Sequence, residues 1–594
     1  MMRRKRGDTG MTNDPASGNV IGTEAPDRIR QVRLVSIAGL LVLALVALIL
    51  PMLERIGAPE PAPTMLYAQD LVLLPLFGLA IWLFGTGRVE RGLPSSRIGA
   101  LSPWWLGLAA VAIFVIGVAG YRLVFQGVDL SRDEQMAVFD ATVYRSGHLV
   151  APIPLAWRSL APALNLLFML PIGDHAGWIS AYLPVNAALR ALVGLVADPV
   201  VTSPLLVVVG LLALAAIGRR LWPTSPGSQL ATLLCYLGSS QILITGMTAY
   251  AVSAHLALNL VWLLLFLRGD RIGFAGTLVV GWLATGAHQP LFHPLFALPF
   301  VLGLAWQRQW RRFFAYGAGY ALICAFWFAW PVWMTHGYGQ VPVANDREGI
   351  DYVTRLMREL ALINIGAFWT MAANLIRFVT WQHLLLLPLA MLGVIGGWRR
   401  SPLVVPLAAG LVLPIVVMGV LLPWQGHGWG YRYLHPVLGS ACLLAGFGWQ
   451  RAEALGLDLR RSMRVASLAS VALLPVHGWM TYRMVAPQAV AEHAVARLAA
   501  DVAVIDVAPY SNNLAINAPD LGNRPIRLFG TALQPGDIAS LCRGWGRDRR
   551  MAFVDAPQLD SLNVYYTGAR APGPGEHQQA LRAAARAAGC RIVS

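Results

Sequence analysis

Residues 104–150 read WWLGLAAVAIFVIGVAGYRLVFQGVDLSRDEQMAVFDATVYRSGHLV. From Trp104 to Phe125 the stretch is apolar and long enough to cross a bilayer as a helix. From Ser131 it carries Asp133, Glu134 and Asp140. A span that runs straight into three carboxylates decides the fold class and points to the site. Ionisable groups beside the hydrocarbon are costly unless they are solvated or used.

Outward from this stretch the pattern repeats. The chain has 594 residues, 56% of them hydrophobic and only 13% charged, more apolar surface than a soluble chain of this length can hide. Further spans are expected at 34–52, 66–84, 203–218, 229–247, 250–267, 272–288, 291–306, 313–334, 380–397, 402–422, 436–449 and 464–483, about thirteen by hydropathy with the one at 104–125. Arg219–Arg220, Arg268, Arg271, Arg308, Arg311–Arg312, Arg399–Arg400, Arg451, Arg460, Arg461 and Arg464 fall in alternate loops, while the short turns at 248–249 and 289–290 have no basic residue. That asymmetry predicts a cytoplasmic N-terminus. An odd number of spans places the C-terminal region, and the acidic stretch, outside. The net charge of +16 is thus read as topology, and no nucleic-acid partner is expected.

Residues 1–32 begin MMRRKRG and are polar, as expected of a disordered cytoplasmic tail rather than a cleavable signal peptide. Residues 33–484 form the expected membrane domain. Its first large outer loop, 126–202, includes an apolar segment, Leu160–Leu170, too short to span and expected as an amphipathic or re-entrant helix. A second outer segment, 335–380, carries Arg347, Arg355 and Arg358. A third, PWQGHGWGYRYLH at 423–435, is rich in Gly and aromatics. From 485 the apolar runs shorten to strand length at 502–507, 514–517, 526–529 and 551–556, with a helix at 577–588. This predicts a small α/β domain over 485–594. It holds no GxGxxG, GxSxG or P-loop, so packing or acceptor recognition is its expected role. Cys542 and Cys590 lie there and can pair if the region faces an oxidising compartment.

The chemistry gathers on the outer face. Ser131 and Glu134 have capping-box spacing, so a helix starts at Arg132, and Glu134 is either a cap or functional. Asp133, Ala137, Asp140 and Tyr144 share one face of that helix; Glu134 points roughly 100° away. Asp133 is the expected functional carboxylate, a general base for a hydroxyl. Arg432, between Tyr431 and Tyr433 and followed by His435, is either an interfacial anchor or a phosphate ligand. Arg347 and His288 are candidate headgroup contacts, and His288 with His293 lacks the further ligands a metal needs.

These residues resemble the GT-C superfamily of integral-membrane glycosyltransferases, which includes protein mannosyltransferases and lipid A aminoarabinose transferases. The resemblance rests on Asp133–Glu134 with Ala137, Tyr144 and Gly147. It also rests on a later G-x-G-x-R-Y-L-x-P stretch of Gly428, Gly430, Arg432, Tyr433, Leu434 and Pro436. The two motifs are in the superfamily's order, with two extra spans before the acidic loop. It implies a multi-pass protein of the bacterial inner membrane whose donor is a polyprenyl-phosphate sugar. The acceptor is a cell-envelope glycan, lipid or protein, and transfer inverts the anomeric centre. Asp133 is then the base and Glu134 organises the site. Arg432 and Tyr433, with His288 and Arg347, hold the donor phosphate or lipid; Asp140, Tyr144 and His435 support the site. No cofactor or metal is expected. The competing readings are a transporter or flippase of lipid-linked saccharides, which would favour mid-membrane charges and an internal repeat, and a non-catalytic membrane scaffold.

Overall fold

Ser102 starts the helix that leads to the acidic stretch: its hydroxyl accepts from the Trp104 amide, and Pro103 takes the first helical position, where no amide is needed. The helix runs Pro103–Leu123 and delivers the chain to a second helix, Arg132–Arg145, hereafter the acidic helix. The computed structural model describes residues 17–53, 62–86, 102–165, 168–170, 172–337, 365–505, 511–545, 549–554, 559–560, 562, 564 and 574–593. Arg347, Arg355 and Arg358 fall outside the described residues.

The architecture is that of a polytopic, largely α-helical membrane protein. Among the described residues seven helices are long and apolar enough to cross a membrane: Asp27–Met52, Ala62–Leu83, Pro103–Leu123, Pro199–Leu221, Trp310–Thr335, Val404–Leu421 and Arg460–Ala496. Shorter apolar helices follow at Val252–Arg268, Arg271–Thr285, Phe292–Trp306 and Leu386–Gly397. Two expected spans are divided. The segment 229–247 breaks near Ser239 into Pro226–Leu237 and Ser240–Thr245. The segment 436–449 enters through a 3-10 stretch, Arg432–Val437, before Leu438–Ala454. The helices Leu386–Gly397 and Leu438–Ala454 pack almost backbone to backbone. A side chain at Gly393 would strike the Leu444 carbonyl, and one at Gly448 the Leu389 carbonyl, the close approach that small residues permit between membrane helices.

The first helix begins at Ser17, so part of the expected tail is helical. Ile29 and Val32 bury in the bundle core, and Arg33 Nε donates to the Phe84 carbonyl at 2.6 Å. Packing extends a helix that local composition alone did not favour.

The C-terminal residues build a parallel sheet ordered β4-β3-β5-β6: β3 is Val502–Ile505, β4 Ile526–Phe529, β5 Arg550–Val554 and β6 Arg591–Val593; β1 (Ala151–Pro152) and β2 (Gly177–Trp178) form a separate short ladder. Helices Pro535–Trp545 and Glu576–Ala587 accompany the sheet, and Cys542 is bridged to Cys590. The expected strand at 514–517 is not one. The turn Ser511–Leu514 is helical, and Asn517 works as a bracket, donating to the carbonyls of Leu164 and Arg527 at 2.9 and 2.8 Å.

Leu160–Leu170 is likewise not the amphipathic or re-entrant helix expected. It comprises a 3-10 stretch, Leu155–Leu160, one α-turn, Ala161–Leu164, and an extended end where Met169 pairs with Ser180. Leu160, Leu164 and Leu170 bury in one core with Val502 and Leu528 of the sheet. These three side chains therefore pack against the C-terminal sheet rather than lipid. The acidic helix is tied to the same region: Gln135 donates to the Asn513 carbonyl at 2.7 Å and Arg132 to that of Ala515 at 3.4 Å.

Candidate active site

The first turn of the acidic helix separates its neighbouring carboxylates. Glu134 turns back on the helix start, accepting from the Ser131 amide and hydroxyl, both at 3.1 Å, and is buried. Asp133 points the other way, and the Arg432 Nη1 donates to its Oδ2 at 2.6 Å. The pair joins two motifs 299 residues apart in sequence. Both side chains are 13% exposed, which opens them into a small cavity of about 100 Å³.

The loop that carries Arg432 is held by amides. Gln425 Oε1 accepts from the Arg432 amide at 2.7 Å, and its Nε2 donates to the Gly430 carbonyl at 3.1 Å. Gln241 Nε2 donates to the Tyr431 carbonyl at 2.9 Å, and Gln382 donates to Gln241 at 2.7 Å. Gly430 has φ +64° and lies against the Gln241 amide, so a side chain there would be strained and would displace this brace. The guanidinium lies over the rings of Tyr250 and Tyr433, at 5.0 and 5.4 Å. Aromatic faces favour a cation in that position.

The third wall comes from residues 178–184. Asp140, two turns along the acidic helix from Asp133, accepts from the Ser180 amide at 3.1 Å and from the Ser180 hydroxyl. The Tyr182 amide donates to the Ser180 hydroxyl at 3.3 Å, and the Tyr182 hydroxyl donates to Asp133. Leu183 and Val185 donate to the carbonyls of His288 and Gly286 at 3.0 and 2.9 Å. This ladder stacks the Tyr182 ring on His288, 4.2 Å between centroids. Phe168, Val252 and Phe292 complete the lining.

The charges follow from these contacts. Burial pushes the Asp133 carboxyl up, but Arg432, His288 and the bond from Tyr182 outweigh it, and the group stays below the ordinary carboxylate value. Burial, moderated by the Ser180 bonds, pushes Asp140 up to about 7. Glu134 is raised by burial and by the nearby Asp129 carboxylate. Burial lowers His288 to about 4, so it is neutral near pH 7.

Of the residues singled out in the sequence, the structure brings Asp133, Arg432, Tyr433 and His288 to one cavity. Asp140 braces its wall from behind. Glu134 lies outside the cavity lining and caps the helix. His435 is buried one turn beyond Arg432 and does not line it. Tyr144 instead lines an apolar groove of about 890 Å³ with Pro184, Val185, Trp282, Trp327 and Trp330. Arg347 lies outside the described residues. Sequence reasoning missed Tyr182, whose role depends on a ladder between two irregular segments. It also missed Gln241, Gln382 and Gln425, amides in apolar surroundings whose only signal was being buried and polar.

The chain is thus a multi-pass α-helical membrane protein with an ion-paired carboxylate at the mouth of a small aromatic cavity. Two solved structures similar to it are of ArnT from Cupriavidus metallidurans. The apo form is 13% identical, with a TM-score of 0.41 over 70% of this chain and 84% of that one. The form bound to undecaprenyl phosphate is 13% identical, with a TM-score of 0.40 over 83% and 90%. Likeness of this depth assigns neither fold nor activity. No family model and no curated sequence matches the chain.

Proposed function

We propose that this protein is a glycosyltransferase that moves a sugar from a polyprenyl-phosphate donor to a cell-envelope hydroxyl at the outer face of a bacterial inner membrane, its C-terminal region on that side. Asp133 is the general base and Arg432 the ligand of the donor phosphate. The observation that carries this reading is the 2.6 Å contact between Asp133 and Arg432. It brings a carboxylate and a guanidinium to one cavity, and displacement at a phosphate-linked sugar needs a proton acceptor and an anion ligand side by side.

The pair also supplies a switch. With no donor, Arg432 holds Asp133 at low basicity. A donor phosphate competes for the guanidinium, which binds phosphate oxygens in a fork. Asp133 then loses its counter-charge while remaining buried, and both changes raise its affinity for a proton. The acceptor O–H gives its proton to Asp133 as its oxygen attacks the anomeric carbon, and the sugar–phosphate bond breaks toward the phosphate. Attack from the face opposite the leaving group inverts the centre. Tyr182 and neutral His288 shape the sugar side. The apolar groove begins at Pro184 and Val185, two and three residues from Tyr182, and gives the polyprenyl chain a bed of matching polarity.

The test is release of free polyprenyl phosphate from a panel of polyprenyl-phosphate sugars by purified protein, wild type against Asp133→Asn. Loss of a general base lowers turnover by about 10²–10⁴. Donor binding should survive. Full activity in the variant would remove Asp133 from the chemistry. Transbilayer movement of intact donor in proteoliposomes, without new glycosidic bonds, would replace the transferase reading with a carrier.

A further inference from the structure

A second cavity, of about 350 Å³, lies on a different flank of the acidic helix. Gln135, Val138 and Thr142 face it, whereas Asp133 faces the first. Its other walls come from Asp129, from Gln488 and Glu492 on the helix Arg460–Ala496, and from Arg527 on β4. Arg527 and Glu492 clamp each other through two contacts of 2.7 and 2.8 Å, a rigid brace from the sheet to the bundle.

Two polar side chains in this cavity are unused. Gln488 is 3% exposed and has no hydrogen bond among the described residues. A primary amide offers two donors and an acceptor with two lone pairs, and buried amides are rarely left without partners. The Asp129 carboxylate also accepts no hydrogen bond from the described residues. Arg190 and Glu492 influence it only through charge. The volume equals roughly ten times a water molecule's share of liquid and lies within the usual range of small-ligand sites.

The geometry points to a carbohydrate site that takes one pyranose unit of a glycan. Hydroxyls of a sugar ring match a cavity lined by both a carboxylate acceptor and an amide that donates and accepts. Val138 and Ile516 offer an apolar surface for the C–H face of the ring. Two carboxylates against one guanidinium disfavour a phosphate, and a wholly apolar ligand would leave Gln488 and Asp129 unpaired. The inference does not rest on the transfer chemistry, because Asp133 lines the other cavity.

The experiment is saturation-transfer NMR on the full-length protein in detergent micelles, with D-glucose, N-acetylglucosamine and glucosamine as separate probes. At least one sugar should bind wild type and Asp133→Asn alike. Gln488→Leu, which removes the amide's donors and acceptor while leaving a side chain of similar length, should weaken it by about tenfold or more. Val138→Trp, which fills the cavity from the acidic helix, should do the same. Binding unchanged in both variants, or no signal from any of the three sugars, would overturn the proposal. Sugar binding that persists in an Asp133→Asn protein unable to transfer would separate this site from the proposed reaction.

Discussion

Asp133 and Glu134 are adjacent in sequence and nearly opposite in circumstance. Asp133 opens on a cavity, meets Arg432 and Tyr182, and stays ionised below the ordinary carboxylate range. Glu134 is buried against its own helix start and is pushed toward the neutral form. One residue of helical rotation separates a carboxylate that opens on the cavity and pairs with Arg432 from one that caps its own helix. The contrast teaches that an acidic pair beside a membrane span need not be a two-carboxylate machine. The partner across the fold, here Arg432, distinguishes the carboxylate proposed as the base from its neighbour.

After the loss expected of Asp133→Asn itself, the largest effect is at that partner. Arg432→Gln removes the proposed phosphate ligand and the charge that holds Asp133 low, so transfer should fall by about 10²–10³, as for other lost oxyanion ligands. With Arg432 gone, burial is opposed only by His288 and the bond from Tyr182, and Asp133 titrates at higher pH. The acid limb of kcat/KM should therefore move upward. Reduced rate with an unmoved limb would show that Arg432 binds donor without tuning Asp133, and the contrast with Glu134 would lose its electrostatic basis.

The next effect is at the brace. Asp140→Ala frees Ser180, and with it the segment that aims Tyr182 at Asp133. Misplacement on the scale of an ångström can lower turnover by about 10–10², and Tyr182→Phe should reproduce part of that loss. Asp140 also predicts a pH effect on stability. Its folded value of about 7 lies above the ordinary carboxylate value near 4, so ionisation opposes folding. The stabilisation from the neutral group is complete below about pH 4 and lost as pH rises through about 7. Thermal unfolding followed across that window should slope less in Asp140→Ala than in wild type. Equal slopes would show that Asp140 titrates no higher in the folded protein than in the unfolded chain, and intact Tyr182 function would show that it does not brace that segment.

The membrane class was legible because hydropathy over a span-length window is local, and the acidic helix because its cap lies within four residues of Ser131. Asp133 and Arg432 were both visible, since a charge next to long apolar runs stands out. That they touch was not, because nothing local records a contact spanning 299 residues. Asp140 looked like site support and is a brace; the Ser180 it holds carried no signal. Leu160–Leu170 and residues 514–517 were misread for one reason. Each is a short apolar run whose partner is the other region, Asn517 bonding to Leu164, and periodicity over a few residues cannot distinguish lipid, helix core and sheet underside.

The smallest effect sharpens the comparison from the structural side. Glu134→Gln keeps an oxygen that can accept from the Ser131 amide, and it deletes the ionisation that burial and Asp129 oppose. Transfer should stay within about threefold of wild type, since a surviving cap loses at most a few tenths to one kcal/mol. The folded carboxyl titrates above its unfolded value, so wild type loses stability as pH rises from the ordinary carboxylate range toward the folded value, and the amide does not. Tryptophan-fluorescence melts of the two proteins should converge at acid pH and part at neutral pH, with Glu134→Gln the more stable. If the folded variant instead lost transfer as completely as Asp133→Asn, the neighbouring carboxylates would act together, and assigning chemistry to one and structure to the other would fail.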